Sequence, residues 1–256
     1  MAIASLALRA VSGLKMFADG DDLAALLGDA MAAAAITPGD GDVLVIAQKI
    51  VSKAEGRTVD LATITPSAAA IALAAEIGKD PRVVEVILGE SVRVVRSRPN
   101  LMIVEHKRGW VMANAGVDQS NVGPSDGIAR VLLLPEDPDA SAERLRAALS
   151  SRFGVKLAVV ISDSFGRAWR RGTAGIAIGA AGLPALIDLR GQPDLFGRTL
   201  EVSIIGFADE IAAAASLLMG QAAEGQPAVL ISGLSWTAPD SPAADLVRPA
   251  AEDLFR

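Results

Sequence analysis

At 256 residues the chain has room for one large domain or two intertwined ones. Its 51% hydrophobic and 21% charged residues, with a mean hydropathy of +0.40, place it among chains that bury a core rather than disordered ones. A net charge of -6 and a pI near 4.9 exclude the broad basic footprint of a general nucleic-acid binder, so any anion site must be local. The absence of cysteine removes disulfides, thiolate catalysis and cysteine-ligated zinc, and the single histidine, His106, removes multi-histidine metal sites; oxygen ligands remain.

Residues 1–9 have no basic segment before their apolar part, which predicts a first strand rather than a signal peptide. Leu23, Leu26, Leu27, Met31 and Ala34 recur at helical spacing, with Asp21 and Asp22 before them and Pro38-Gly-Asp-Gly41 after, predicting a capped helix over 21–35. Residues 42–47 read as a buried strand running into Gln48-Lys-Ile-Val-Ser-Lys-Ala-Glu-Gly-Arg57, and 65–77 as a helix capped by Thr65 with Pro66 in its first turn. Residues 92–96, 101–106 and 110–113 are strand candidates, with a turn at 106–109. A strand at 130–134, a helix at 140–153 and a strand at 156–162 suggest a strand-helix-strand unit. Residues 172–187 carry four glycines and Pro184, which predicts a buried glycine-rich segment rather than a membrane span. A helix at 208–219 and a strand at 228–232 complete an α+β, or mixed α/β, chain for which a cytoplasmic location with no membrane or nucleic-acid partner is expected.

Two aspartates stand out. Asp118 lies in Gly116-Val-Asp-Gln-Ser-Asn121, just past the strand at 110–113, and Asp163 ends the apolar run before Ser164-Phe-Gly-Arg-Ala-Trp-Arg-Arg171. Carboxylates at strand ends beside arginines are what holding a divalent metal against polyphosphate requires: the metal takes hard oxygen ligands while guanidinium groups neutralise the remaining charge. Taken singly, Asp-x-x-Asn at 118–121 is an Asx turn about two times in three, and Asp163 a turn cap about half the time. As a bare run, Arg167, Arg170 and Arg171 form a solvated face at about even odds, and Lys49 and Lys53, four apart and on one helix face, a solvent-facing helix edge. Asp163-Ser-Phe-Gly lacks the glycine and catalytic loops of a kinase, position 165 is Phe where a haloacid-dehalogenase phosphatase needs aspartate, and there is no Walker loop.

Four segments in order resemble the coenzyme F420-0:L-glutamate ligase family, the gamma-glutamyl ligases of deazaflavin coenzyme biosynthesis: Gln48 to Arg57 as written above, Ala113-Asn-Ala-Gly-Val-Asp-Gln-Ser-Asn121, Ile161-Ser-Asp-Ser-Phe-Gly-Arg167 and Asp209-Glu-Ile-Ala-Ala-Ala-Ala-Ser-Leu-Leu-Met-Gly-Gln221. The resemblance covers about residues 10 to 235. It implies a GTP-dependent amide ligase with two divalent cations, Mg or Mn, and potassium as a further candidate ion, working as a homodimer on F420-0 and L-glutamate in the family's intertwined α+β fold. By position, Asp118 and Asp163 look like ligands of one metal, and Ser164 and Gln221 of the other. Asn121 and Lys53 look like nucleotide contacts, Gln48 falls where the family has a nucleotide-binding serine, and Gly13-Leu14-Lys15-Met16 aligns with a nucleotide-contacting segment. Lys53, Arg167 and Arg170 are the candidate catalytic charge-neutralising groups.

The chain departs from the family pattern at Lys15 and Met16, usually Pro-Glu; at Gly172-Thr-Ala-Gly175, often Gly-Gln-Thr-Asp; at Ser232, commonly Arg; and at Arg108, frequently His. These changes keep open a related carboxylate-amine ligase with another acid, and a non-catalytic nucleotide-binding dimer. The C-terminal flavin domain of larger members is not expected, leaving one ligase-like domain over 1–256.

Overall fold

A computed structural model describes residues 5–123 and 126–254. Along the chain run β1 (Ala7–Ala10), α1 (Leu23–Ala33), β2 (Val43–Ala47), α2 (Gln48–Ala54), β3 (Thr58–Asp60), α3 (Ala68–Ile77) and α4 (Pro81–Gly89). There follow β4 (Ser91–Arg98), β5 (Leu101–His106), β6 (Val111–Ala113), β7 (Arg130–Leu132), α5 (Pro138–Phe153), β8 (Ala158–Arg167) and β9 (Arg170–Ala181). The last are β10 (Ile187–Asp188), β11 (Ile204–Ile205), α6 (Phe207–Met219) and β12 (Ala228–Ser232). The class is mixed α+β, as the sequence predicts.

The main sheet has the order β1-β12-β2-β8-β9, with β2 and β8 parallel and the other pairs antiparallel. Its central strands are apolar on both faces because both are covered. Leu44, Ile46, Val159, Ile161 and Leu230 face α1 and α5, whereas Val43, Val45, Val160, Val229 and Ile231 face α6. After α2 the chain leaves this sheet and builds a second core from Ala70, Ile77, Val84, Ile87, Met102, Val104, Val117 and Val131, under α3, α4 and the β4-β5-β6 sheet; it returns to the main sheet with α5.

The edge strand β9 is closed by two first-turn aspartates. Asp139 of α5 accepts the Ala180 N–H, and Asp209 of α6 accepts the Ala177 N–H, both at 2.8 Å. Asp139 also takes the N–H groups of Ala243 and Ala244, fastening the C-terminal turn to the same edge.

Several expectations are corrected. The strand expected at 156–162 continues to Arg167, because Ser162 to Gly166 find partners on β9; Asp163 therefore lies inside a long hairpin, not at its strand's end. The strand at 130–134 pairs with β3, outside the main sheet, so it forms no crossover unit with β8. Ser67, not Thr65, caps α3 through the Ala70 N–H, since it lies two residues nearer the helix and immediately before its first residue. The expected first strand is present only as β1, and residues 1–4 lie outside the described residues. No described helix is long and apolar enough to cross a membrane.

Candidate active site

The loop after β6 reaches Asp118 through consecutive left-handed residues, Asn114 (φ 53°), Ala115 (φ 55°) and Gly116 (φ 70°). Left-handed backbone costs a residue with a β-carbon about 1–2 kcal/mol. Here it is held in place by the bond from the Met102 N–H to Asn114 Oδ1, the burial of Ala115 and the packing of Gly116 on Leu134. Asp118 then forms an Asx turn, its Oδ1 accepting the Ser120 N–H at 2.7 Å and the Ser120 hydroxyl at 2.9 Å.

Helix α2 meets this loop with both lysines, as their spacing predicts. Lys49 Nζ lies 2.6 Å from Asp118 Oδ2 and donates to Ser120 Oγ at 2.8 Å; Lys53 Nζ donates to the Asn121 carbonyl at 2.5 Å. Lys53 is buried, so this face is not a solvent edge, and burial, with Lys49 nearby, lowers its pKa. Burial pushes the Asp118 carboxyl up, but Lys49 and the Ser120 donors outweigh it and hold the group below its ordinary range.

Asp163 enters from β8 on the face of Ile161 and Phe165. Burial first, and then the negative charge of Asp118, push its carboxyl up to about 6, against the Ser164 N–H and Lys49. The two aspartates, one from each core, thus feel each other's charge at a shared corner. Two carboxylates that repel one another in a half-buried place favour a cation nearby. Among the described residues no group of three His, Asp or Glu side chains gathers for a metal, so further ligands there would have to be hydroxyl, amide or phosphate oxygens.

The C-terminal turn of α6 lies over the same stretch of hairpin. Ser162 Oγ is 3.9 Å from Met219 Sδ, and a β-carbon on Gly175, the partner of Ser164 across the hairpin, would come within 2.5 Å of the Ala212 carbonyl oxygen. Gln221 follows this turn, and Asn121 Nδ2 donates to the Ala222 carbonyl at 3.3 Å. The Asn121 loop therefore bridges α2 and the segment after α6.

The remaining candidates make contacts of their own. Gln48 is buried and accepts the Ser52 hydroxyl within α2 at 2.8 Å. In the 13–16 segment Gly13 is left-handed, Leu14 packs on the core, Lys15 pairs with Asp21 at 2.7 Å and Met16 is exposed. Arg167 and Arg170 pair across the exposed tip of the β8–β9 hairpin.

The chain matches the model of the F420-0:Gamma-glutamyl ligase family over residues 13–233. It belongs to that family. Among its relatives, the "Coenzyme F420:L-glutamate ligase" of Methanothermobacter thermautotrophicus is 46% identical over 253 residues, 98% of this chain and 99% of the relative. The proteins of the same name from Methanopyrus kandleri and Archaeoglobus fulgidus are 47% and 42% identical, over 93% and 96% of this chain and 92% and 94% of their own. In this family member Lys49, not singled out for a site role in the sequence, turns out to be the direct partner of Asp118; its spacing from Lys53 was the available signal.

A second polar concavity was not foreseen at all. A cleft of about 510 Å³ is lined by Arg57, Glu90, His106 and Arg108 against walls that include Trp110 and Ile178. His106 is 5% exposed, and its Nδ1 accepts the Arg108 N–H at 3.0 Å, which places the ring proton on Nε2. That Nε2 is buried without a hydrogen-bond partner among the described residues; its nearest acid, Glu90 Oε2, is 4.0 Å away. An unmade bond of this kind costs about 1–3 kcal/mol. Burial lowers the imidazole to about 4, so it is neutral at pH 7.

Proposed function

We propose that the chain joins L-glutamate to F420-0 through an amide bond at the expense of GTP, as a cytoplasmic homodimer. The reading is carried by the coincidence of its family membership with a corner where two aspartates, two lysines and Asn121 converge. The names of its relatives support glutamate as the added group.

The donor set fits magnesium or manganese, being oxygen throughout: Asp118 and Asp163 would hold one ion, Ser164 and Gln221 a second. Bound there, such ions would neutralise the triphosphate. Lys53, with Asn121 and the 13–16 segment, would bind and orient the nucleotide, Lys49 would exchange its hold on Asp118 as the phosphates enter, and Arg167 and Arg170 would supply charge from the hairpin tip. The substrate carboxylate attacks the γ-phosphorus, releasing GDP and forming an acyl phosphate. The glutamate amine then attacks the acyl carbon, losing its proton and expelling phosphate. Water must be kept out meanwhile, or the acyl phosphate hydrolyses.

A homodimer is supported by the arm from β10 to β11, whose far end carries Leu195 and Phe196 at 99% and 96% exposure, apolar surface of the kind a second copy would cover. A second reading, another acid in place of F420-0, is supported at Gly175. The close approach of α6 leaves no space there for the aspartate that the family pattern often has.

The test is purified protein with F420-0, L-glutamate, GTP and Mn, read by mass spectrometry. A product heavier by one or more glutamyl residues is expected. Amide formed only with another acid would select the second reading, and no amine-stimulated GDP release with any acid would discard the ligase.

A further inference from the structure

The His106 cleft has no part in the scheme above, yet its polar groups are arranged as if for something. Glu90 serves three bases at once: Arg57 at 3.1 Å, Lys107 at 3.6 Å and, beyond bonding distance, His106 at 4.0 Å. Arg108 is held only at 3.4 Å, by the half-exposed Asp137. Asp139, which also lines the cleft, is already occupied by backbone N–H groups. Arg57, Lys107 and Arg108 share the cleft with Glu90, Glu136 and Asp139, so its charges balance; what is left over is the buried His106 Nε2 proton, which has no acceptor among the described residues.

We infer that this cleft is a binding site for a small carboxylate on a short aliphatic stem, the carboxylate accepting the His106 Nε2 proton between Arg57 and Lys107, with the stem against Trp110 and Ile178. The volume is in the range of small-ligand sites. The lining is mostly charged or polar, with Trp110, Ile178 and two prolines in its apolar wall, which suits a polar ligand with a short stem. A carboxylate group, with one charge, suits the place better than a phosphate group with two, because Glu90 stays beside it and repels a second charge at that point; a further carboxylate at the far end of the stem lies away from Glu90. The site is distinct from the aspartate corner, although Trp110, which lines the cleft, meets Phe165 edge-on at 6.5 Å, two residues from Asp163. The inference does not depend on the ligase reading.

Because His106 is the only histidine, a chain labelled with ¹⁵N-histidine reports on this ring without assignment. The full chain is titrated with glutarate and, separately, L-glutamate at roughly millimolar concentrations. A saturable shift of the Nε2–H signal, with Nδ1 remaining the unprotonated nitrogen, is expected with glutarate. The same response to L-glutamate would make the amine substrate an occupant, and a response to glutarate alone would point to a separate acid. Lys107→Met should weaken binding by about tenfold, as loss of one charge-assisted contact does, while Asp163→Asn should leave it intact. The inference is overturned if neither acid gives a saturable shift, if inorganic phosphate or chloride gives the same shift, or if Asp163→Asn removes it.

Discussion

The aspartate corner and the His106 cleft are built from similar materials and left in opposite states. At the corner, cations and acids satisfy one another: Lys49 holds Asp118, Ser120 turns back on it, and Lys53 grips the Asn121 carbonyl. In the cleft the acid is shared among several bases and one buried donor is left over. A ligand entering the corner must displace bonds already made, which makes that site responsive to a strongly charged partner such as a metal-bound polyphosphate. A ligand entering the cleft completes a set that is one acceptor short, so a weakly charged one suffices.

The largest effect that sharpens this contrast is at the corner. Asp118→Asn and Asp163→Asn are each expected to lower metal-dependent nucleotide turnover by about 100-fold or more with the fold retained, since a cation held between two carboxylates loses charge and affinity when one becomes an amide. Steady-state kinetics alongside circular dichroism would show it, and near-normal turnover in either folded variant would remove the shared-metal assignment.

Next in size is pH. His106 binds fewer protons folded than unfolded between about 4 and its ordinary 6.5, so its contribution to stability is complete above 6.5 and is lost as pH falls through that window. The loss amounts to about 3 kcal/mol at most. Asp163 runs the other way. Raised from 3.8 to about 6, it binds more protons folded than unfolded, so its contribution is full below 3.8 and disappears as pH rises towards 6. Urea denaturation of the metal-free protein at pH 7.5 and 5 should give opposite changes in pH slope for His106→Asn and Asp163→Asn; equal slopes would mean the two regions are not electrostatically distinct.

A comparable loss, about 2–3 kcal/mol in thermal or urea unfolding, is expected for Gly175→Ala, because the new β-carbon meets backbone of α6 rather than a flexible side chain. If Gly175→Ala is as stable as the parent, α6 yields easily and the corner is less rigid than described. The smallest effect concerns association: Phe196→Glu should shift sedimentation towards monomer without altering the response of His106 to glutarate, and an unchanged dimer would clear the arm of that role.

Much of the main sheet was legible because its strands are continuous apolar runs bounded by turn residues: β12 falls where expected, and β2 and α6 within a residue. Helix α4 escaped notice although Asp80-Pro81 caps it and Val83, Val84, Val86 and Ile87 form its buried face; its β-branched residues mimic a strand. Strands β3, β10 and β11 are too short to leave a pattern. At the site, Asp118 and Asp163 were found because each follows an apolar run, but their common corner depends on the crossing of two cores, which no local spacing encodes. The cleft was invisible for the same reason: Arg57, Glu90 and His106 meet only through tertiary packing.

The aspartates that close β9 also impose an order on assembly. The strand is complete in sequence at Ala181, but the acid that takes the Ala177 N–H lies in a helix that begins only at Phe207. A growing or partly unfolded chain therefore carries a long sheet edge with that bonding position vacant until α6 docks, the condition under which one molecule's edge recruits another's. Loss of the Asp209 carboxylate would then be felt less in the folded enzyme than in the yield of soluble protein, since what it guards against is a wrong neighbour during the interval before the right one arrives.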